Sequence, residues 1–178
     1  MTLVLSSLPD LSERVARGRF ADQLRGESAI VFGITREATS AAGEGPLSLR
    51  AALGGREEVL VGRSRLVVDD DVFLVLNRGT LHATRIRADE PVFSFAVYFC
   101  DALVAEVLAW GTGREDGLME PGASAHASDP EPAVAENLRP HDRCLSPALR
   151  YLMLVCRERT CEQLWYDEQL HLLLERIL

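Results

Sequence analysis

The sequence predicts a mainly β chain with α-helical parts: a small sandwich or barrel of short strands followed by a pair of helices. Three observations lead there. Apolar and polar residues alternate with a period of two in short runs between Leu47 and Phe99, as strands with one buried face require. Gly, Asp and Pro clusters separate those runs at the spacing of a sandwich or barrel. Beyond Ser146 the apolar residues recur instead with the spacing of amphipathic helices.

The individual elements follow in order. Thr2–Leu5 reads as a short strand, and Asp10 with Glu13 forms a variant capping box for a helical turn or two that Gly18 ends. Ala29–Thr35 is a buried strand, and the Ala/Ser/Gly composition of Glu37–Pro46 is that of a loop. Leu47, Leu49, Ala51 and Leu53 then alternate with Ser48, Arg50 and Ala52, the pattern of a half-buried strand. Gly54-Gly55 supplies a hairpin turn, Glu57–Val61 returns, Gly62-Arg63 turns again, and Arg65–Val68 is a third strand. The acidic triplet Asp69-Asp70-Asp71, a solvated turn, precedes a strand over Val72–Leu76. Leu81–Arg87 and Val92–Phe99 complete the set, with Asp89-Glu90-Pro91 between them.

Asp101 is the expected N-cap of a helix that Gly111 ends. Thr112–Pro140 is rich in Gly, Pro, Ala and acid and reads as an irregular segment or lid, with a strand-like piece near Ala133–Leu138. Ser146-Pro147 has the form of a helix start, Ser as N-cap and Pro in the first helical position. Its apolar face is Leu149, Leu152, Met153 and Cys156. Thr160-Cys-Glu-Gln163 is a capping box for a second helix, in which Tyr166, Leu170, Leu173 and Ile177 form a stripe widened by Trp165 and Leu172. The apolar pattern runs to Leu178 without a Gly, Asn or Pro stop, as expected of a helix that continues in a longer chain.

Composition narrows the function classes. With 178 residues, 47% hydrophobic and 26% charged, the chain is long enough for one well-buried domain with a small helical appendage. No apolar run nears the roughly 20 residues of a membrane span, and no basic leader precedes the first apolar residues, so the expected location is cytoplasmic. The formal charge is −8, and all 19 basic residues are arginine. Without a basic stripe, these residues are not expected to bind nucleic acid themselves. The four cysteines, Cys100, Cys144, Cys156 and Cys161, lack the spacing of a secreted disulfide framework. With His141 they also lack the short C-x2-C hook of a zinc site.

Few residues carry visible chemistry. No G-x-S-x-G elbow or phosphate-cradling glycine loop occurs, so no catalytic residue is expected. Four histidines are present, at 82, 126, 141 and 171, and only His82 falls within the strand region. Iron, manganese or zinc in a catalytic barrel is held by about three imidazoles and a carboxylate, so no metal and no cofactor is expected. A lone His at the base of a strand is most often hydrogen-bonded and structural. If His82 faces inward, so do Thr84 and Ile86, with Arg85 and Arg87 outward. On Val92–Phe99 the aromatic face of Phe93, Phe95, Val97 and Phe99 is the one expected in an ordinary core. The smaller face of Ser94, Ala96 and Tyr98 leaves room for a cavity and supplies a hydroxyl. The candidate ligand-contacting set is His82, Thr84, Phe73, Val75, Phe95 and Tyr98.

The stretch Asp71–His82, an acidic turn, an apolar strand, Asn77-Arg-Gly79 and then His82, resembles the second motif of a cupin barrel. Together with Pro91–Phe99 and His141–Leu149 running into the helices, it resembles the sensor domain of AraC-type transcriptional regulators. Asp71 stands where that motif has Gly, and Asn77 where it has Pro. The H-x-H pair of metal-binding cupins has no counterpart, since Leu47–Val68 contains no histidine. The resemblance implies a cupin-like (double-stranded β-helix, or jelly-roll) barrel over 1–100 with its N-terminal strand and helix. A helix and irregular segment over 101–147 would pack on that barrel. An antiparallel helix pair over 148–178 would serve dimerisation, ahead of a DNA-reading helix-turn-helix domain missing from these residues. It further implies a small-molecule effector, a homodimer formed through Trp165, Tyr166, Leu170, Leu173 and Ile177, and DNA contacts made only by the missing domain. Two other readings stay open at this level: a cupin enzyme with an atypical metal site, and a standalone non-catalytic binding module.

Overall fold

A computed structural model describes residues 2–7, 20, 22–24, 26–111, 138–158 and 162–178. Its elements are β1 (Thr2–Leu5), β2 (Ser28–Gly43), β3 (Ser48–Leu53), β4 (Glu57–Val61), β5 (Ser64–Val68), β6 (Val72–Leu76), β7 (His82–Tyr98), α1 (Asp101–Gly111), β8 (Leu138–Pro140), α2 (Leu145–Glu158) and α3 (Gln163–Ile177). The expected helical turns over 10–18, the stretch 112–137 and Thr160-Cys161 of the second capping box lie outside the described residues.

One long strand organises the sheet. β7 pairs antiparallel with β2 along most of its length, with β4 through residues 82–85, and with β3 through residues 93–98. β6 and then β8 extend the β3 side, while β5 extends the β4 side. Because β7 passes from one set of neighbours to the other, the sheet rolls, and β5 comes to lie against β6 and β8. Gly54 (φ 72°) and Gly62 (φ 58°) make the tight reversals on either side of β4, where a Cβ would be strained.

Two sequence expectations are corrected here. Glu37–Pro46 is not a loop as a whole: β2 continues to Gly43, with Ala38, Thr39 and Ser40 in register against Ile86, Arg85 and Thr84. Pairing overrides the loop-like composition, because strand preference depends chiefly on what the neighbouring strand offers. Asp89-Glu90-Pro91 does not separate two strands either. It occupies the irregularity of β7 where the β2 register jumps from Thr35–Val92 to Glu37–Arg87. Pro91 has no N–H to donate, and the turn chemistry appears as a bend within one strand.

The two faces of the rolled sheet have different partners. Leu49, Ala51, Phe73, Val75, Phe95 and Val97 point to the helix side, and pack with Leu149, Leu152, Met153, Leu170 and Leu173 in the main core. The opposite face encloses a smaller apolar cluster of Ala52, Val59, Val68, Leu74, Leu76, Ile86 and Val92. Strand and helix stretches thus share one core. Arg176, near the end of α3, donates to the carbonyl of Cys144, just before α2, at 2.7 Å, so the two helices run antiparallel.

The helix starts also differ from the sequence reading. Ser146 does not cap α2 as its first flanking residue; it lies within the helix, which begins at Leu145. Asp142 does that work, its Oδ1 accepting from the N–H of Cys144 at 2.8 Å and of Leu145 at 2.6 Å. Ser146 Oγ accepts in turn from the Asp142 N–H at 2.8 Å, a reciprocal arrangement that satisfies orphan donors from both sides. At α3 the residue before the helix is Glu162, which makes no side-chain capping bond.

Candidate ligand-binding site

The inner face of the roll holds a connected set of buried polar side chains. Arg50, in the middle of β3, is only 7% exposed, although alternation placed it on the solvent side of a half-buried strand. One face of β3 packs on the helices, and the rolling of the sheet turns the other, which carries Arg50, toward Glu57, His82 and Tyr98 instead of solvent. Its guanidinium Nη1 donates to Glu57 Oε1 at 3.0 Å, and Nη2 donates to the Tyr98 hydroxyl at 3.0 Å. Nη2 also lies 3.0 Å from His82 Nε2. Ser94 Oγ donates to the other Glu57 oxygen at 2.7 Å. Backbone register explains the assembly: Arg50 sits opposite Ala96 and Ser48 opposite Tyr98, so Tyr98 is the diagonal neighbour of Arg50 on the same face.

These charges are buried, and pairing is what makes that tolerable. Burial by itself disfavours the Arg50 cation. The Tyr98 oxygen and then the Glu57 carboxylate outweigh it, and the guanidinium holds its proton more tightly than usual. Two polar atoms of this face stay without a protein partner among the described residues, Arg50 Nε and Ser48 Oγ.

A cavity of about 70 Å³ adjoins the network. Val31, Ala38, Ile86 and Ala96 give it apolar walls, while Ser40, Thr84, Ser94 and Tyr98 bring hydroxyls and Thr39 borders it from the rim. Arg50 and Glu57 are its charged members. Ser40 and Thr84, opposite each other across β2 and β7, share a hydrogen bond of 2.9 Å.

The structure separates the sequence candidates. His82, Thr84 and Tyr98 lie on the inner face: Thr84 and Tyr98 line the cavity, and His82 is bonded to Arg50. The parity expected around His82 is the one found, with His82 and Ile86 buried and Arg85 and Arg87 exposed. Ser94 and Ala96, from the smaller face of that strand, also line the cavity. Phe73, Val75 and Phe95 do not; all three are fully buried in the helix-side core, because the odd positions of β6 and those of β7 beyond Val92 face the helices. The helical stripe is corrected in the same way. Tyr166, Leu170, Leu173 and Ile177 are buried in the core of their own chain, and Trp165 packs against it. The four buried residues are not a surface offered to a second copy.

Arg50 and Glu57 were the residues that sequence reasoning missed. Arg50 occupied the polar phase of an alternating strand, and Glu57 lay in the charge run Arg56-Glu57-Glu58. The one available cue was a pair of opposite charges flanking the Gly54-Gly55 turn. Among the described residues, no group of three or more His, Cys, Asp or Glu is placed to hold a metal ion. No helix among them is long and apolar enough to cross a membrane.

No family model and no curated protein matches this chain. Among solved structures, apo ToxT K231A from Vibrio cholerae strain SCE256 aligns with a TM-score of 0.52 at 7% identity, over 83% of this chain and 53% of that one. ToxT from Vibrio cholerae O395 bound to (E)-4-(8-methylnaphthalen-1-yl)but-3-enoic acid aligns at 0.48 and 8% identity, over 83% and 56%. A Cupin 2 conserved barrel domain protein from Salinispora arenicola CNS-205 aligns at 0.38 and 20% identity, over 43% of this chain and 66% of its own. The chain spans about half the length of the ToxT structures it matches. At 7% identity the likeness to apo ToxT concerns the fold alone: a rolled sheet followed by an antiparallel helix pair.

Proposed function

We propose that this chain is the effector-sensing part of a transcriptional regulator of the AraC type, and that it receives a small molecule inside the barrel without transforming it. The observation that carries this reading is the position of the cavity. It is lined from β3 by Arg50 and from β7 by Ser94 and Ala96, whose neighbours Leu49, Ala51, Phe95 and Val97 face the helices from the same strands. Any adjustment of those strands around a ligand therefore reaches the α2–α3 layer directly. Ligand binding biases that layer if it favours one helix arrangement over another.

Further parts of the proposal concern the rest of the protein. DNA reading belongs to a separate helix-turn-helix domain, and the regulator works as a homodimer. Since the α3 stripe is used within the chain, a second copy would meet the exposed apolar residues Tyr151, Leu154, Leu164 and Leu172 instead.

The test is a fragment panel of neutral, acidic and basic compounds followed by amide NMR shifts. Shifts clustered on Thr84, Ser94 and Ala96, with a second set on α2 and α3, are the expected result. Binding confined to other surfaces would refute the reading, and stoichiometric turnover of a bound fragment would refute its non-catalytic part.

A further inference from the structure

The chemistry of the cavity narrows its ligand. Arg50 brings one positive charge and Glu57 one negative charge, and they are paired at 3.0 Å. They are the charged residues lining the cavity. His82 adds none while Nε2 faces the Arg50 donor, because a guanidinium cannot accept a hydrogen bond. The site is therefore balanced in charge. Its unmet hydrogen bonding lies at the Tyr98 hydroxyl, since Arg50 Nε, although it too lacks a protein acceptor among the described residues, is closed off from any water-sized group. Tyr98 accepts from Arg50 through its oxygen, which leaves its own O–H free to turn toward a further acceptor.

Resting on the receptor reading above, we infer that the cavity takes a small uncharged molecule that presents an acceptor oxygen to the Tyr98 hydroxyl. A carboxylate would also accept from this donor, but it would bring an unmatched negative charge beside Glu57 in a site without a spare cation, and like charges at that range disfavour each other. A cation is worse placed, since the unmet group is a donor. Size points the same way. About 70 Å³ is under half of an apolar cavity known to admit benzene, at roughly 150 Å³. The part of the ligand that enters is then a compact group such as a carbonyl or amide, with Val31, Ile86 and Ala96 against its carbon atoms.

Acetamide and acetate make the test, being nearly the same shape and different in charge. The readouts are the amides of Ser94 and Ala96 in the intact chain. Acetamide should shift both in a saturable way, with acetate weaker by about tenfold or more. Tyr98→Phe, which keeps the ring and removes the hydroxyl, should weaken acetamide several-fold. Acetate binding as well as acetamide would overturn the inference. Failure of acetamide, with a fragment panel still shifting Ser94 and Ala96, would also overturn it while leaving the receptor reading intact. Silence from every fragment at those amides would remove both.

Discussion

Arg50 and His82 meet nitrogen to nitrogen, with Nη2 of the guanidinium 3.0 Å from Nε2 of the imidazole. Arginine has no acceptor, so His82 must accept through Nε2 and carry its proton on Nδ1. Nδ1 is placed to donate that proton, 3.0 Å from the carbonyl oxygen of Thr80. Both nitrogens are thereby used in the neutral form, and one tautomer is selected. Long-range 15N NMR of the imidazole should find Nδ1 protonated and Nε2 with the shift of an acceptor nitrogen near neutral pH. An Nε2–H tautomer would mean that the two residues are not bonded in this way.

The Arg50–Glu57 pair should behave as a unit. Removing only the cation, as in Arg50→Met, leaves a buried carboxylate and should cost about 3–5 kcal/mol in chemical denaturation. The double variant Arg50→Met/Glu57→Leu removes both charges and should regain most of that loss, less about 1 kcal/mol for the stranded Ser94 donor. Additive losses in the double variant would contradict the pairing.

The helix layer offers a separate contrast. Leu170 is fully buried and Leu154 is half exposed, at 0% and 50%. Leu170→Ala should cost about 2–5 kcal/mol, whereas Leu154→Ala should lie within about 0.5 kcal/mol of the parent in the isolated chain. Equal effects in thermal unfolding would show that the stripe on α3 is not the buried face.

Acid should weaken the start of α2 in two stages. Burial, followed by nearby Arg150, holds the His141 pKa below its ordinary value. The folded chain therefore resists a proton that the unfolded chain takes up, and stability falls as pH drops through about 6.5. Asp142 is held below the usual carboxylate range by the N–H of Leu145, with those of Cys144 and Ser146 adding to it. Its contribution is complete above that range and is lost on further acidification through its depressed folded value. His141→Gln should flatten the loss of thermal stability between about pH 7 and pH 5. Asp142→Ala should cost about 1 kcal/mol at neutral pH and remove the more acidic step. Unchanged pH profiles in both variants would contradict these assignments.

Much of the fold was legible from period alone. Five of the eight described strands, β1 and β3 to β6, coincide closely with alternating or apolar runs, since alternation directly records which face is covered. What local pattern could not supply was long-range pairing. The residues of β2 after Glu37 look like a loop until Thr84 and Ile86 stand opposite them, and Asp89–Pro91 looks like a break until β2 carries β7 past it. The same gap hid the center of the site. Ser94, Ala96 and Tyr98 are recognisable by size and hydroxyl, but Arg50 reads as an outward residue until β7 is known to pair with both β3 and β4 and so roll the sheet over it. Phe73, Val75 and Phe95 were misplaced for the reverse reason: large apolar side chains suit a ligand pocket and a helix-packed core equally well.

The most direct test is a crystal structure of the chain grown with saturating acetamide. The account predicts density for one molecule on the inner face, its oxygen within hydrogen-bond distance of the Tyr98 hydroxyl, and Glu57 still paired with Arg50. Acetamide bound only on the outer surface, or an interior closed by the protein's own side chains, would contradict it.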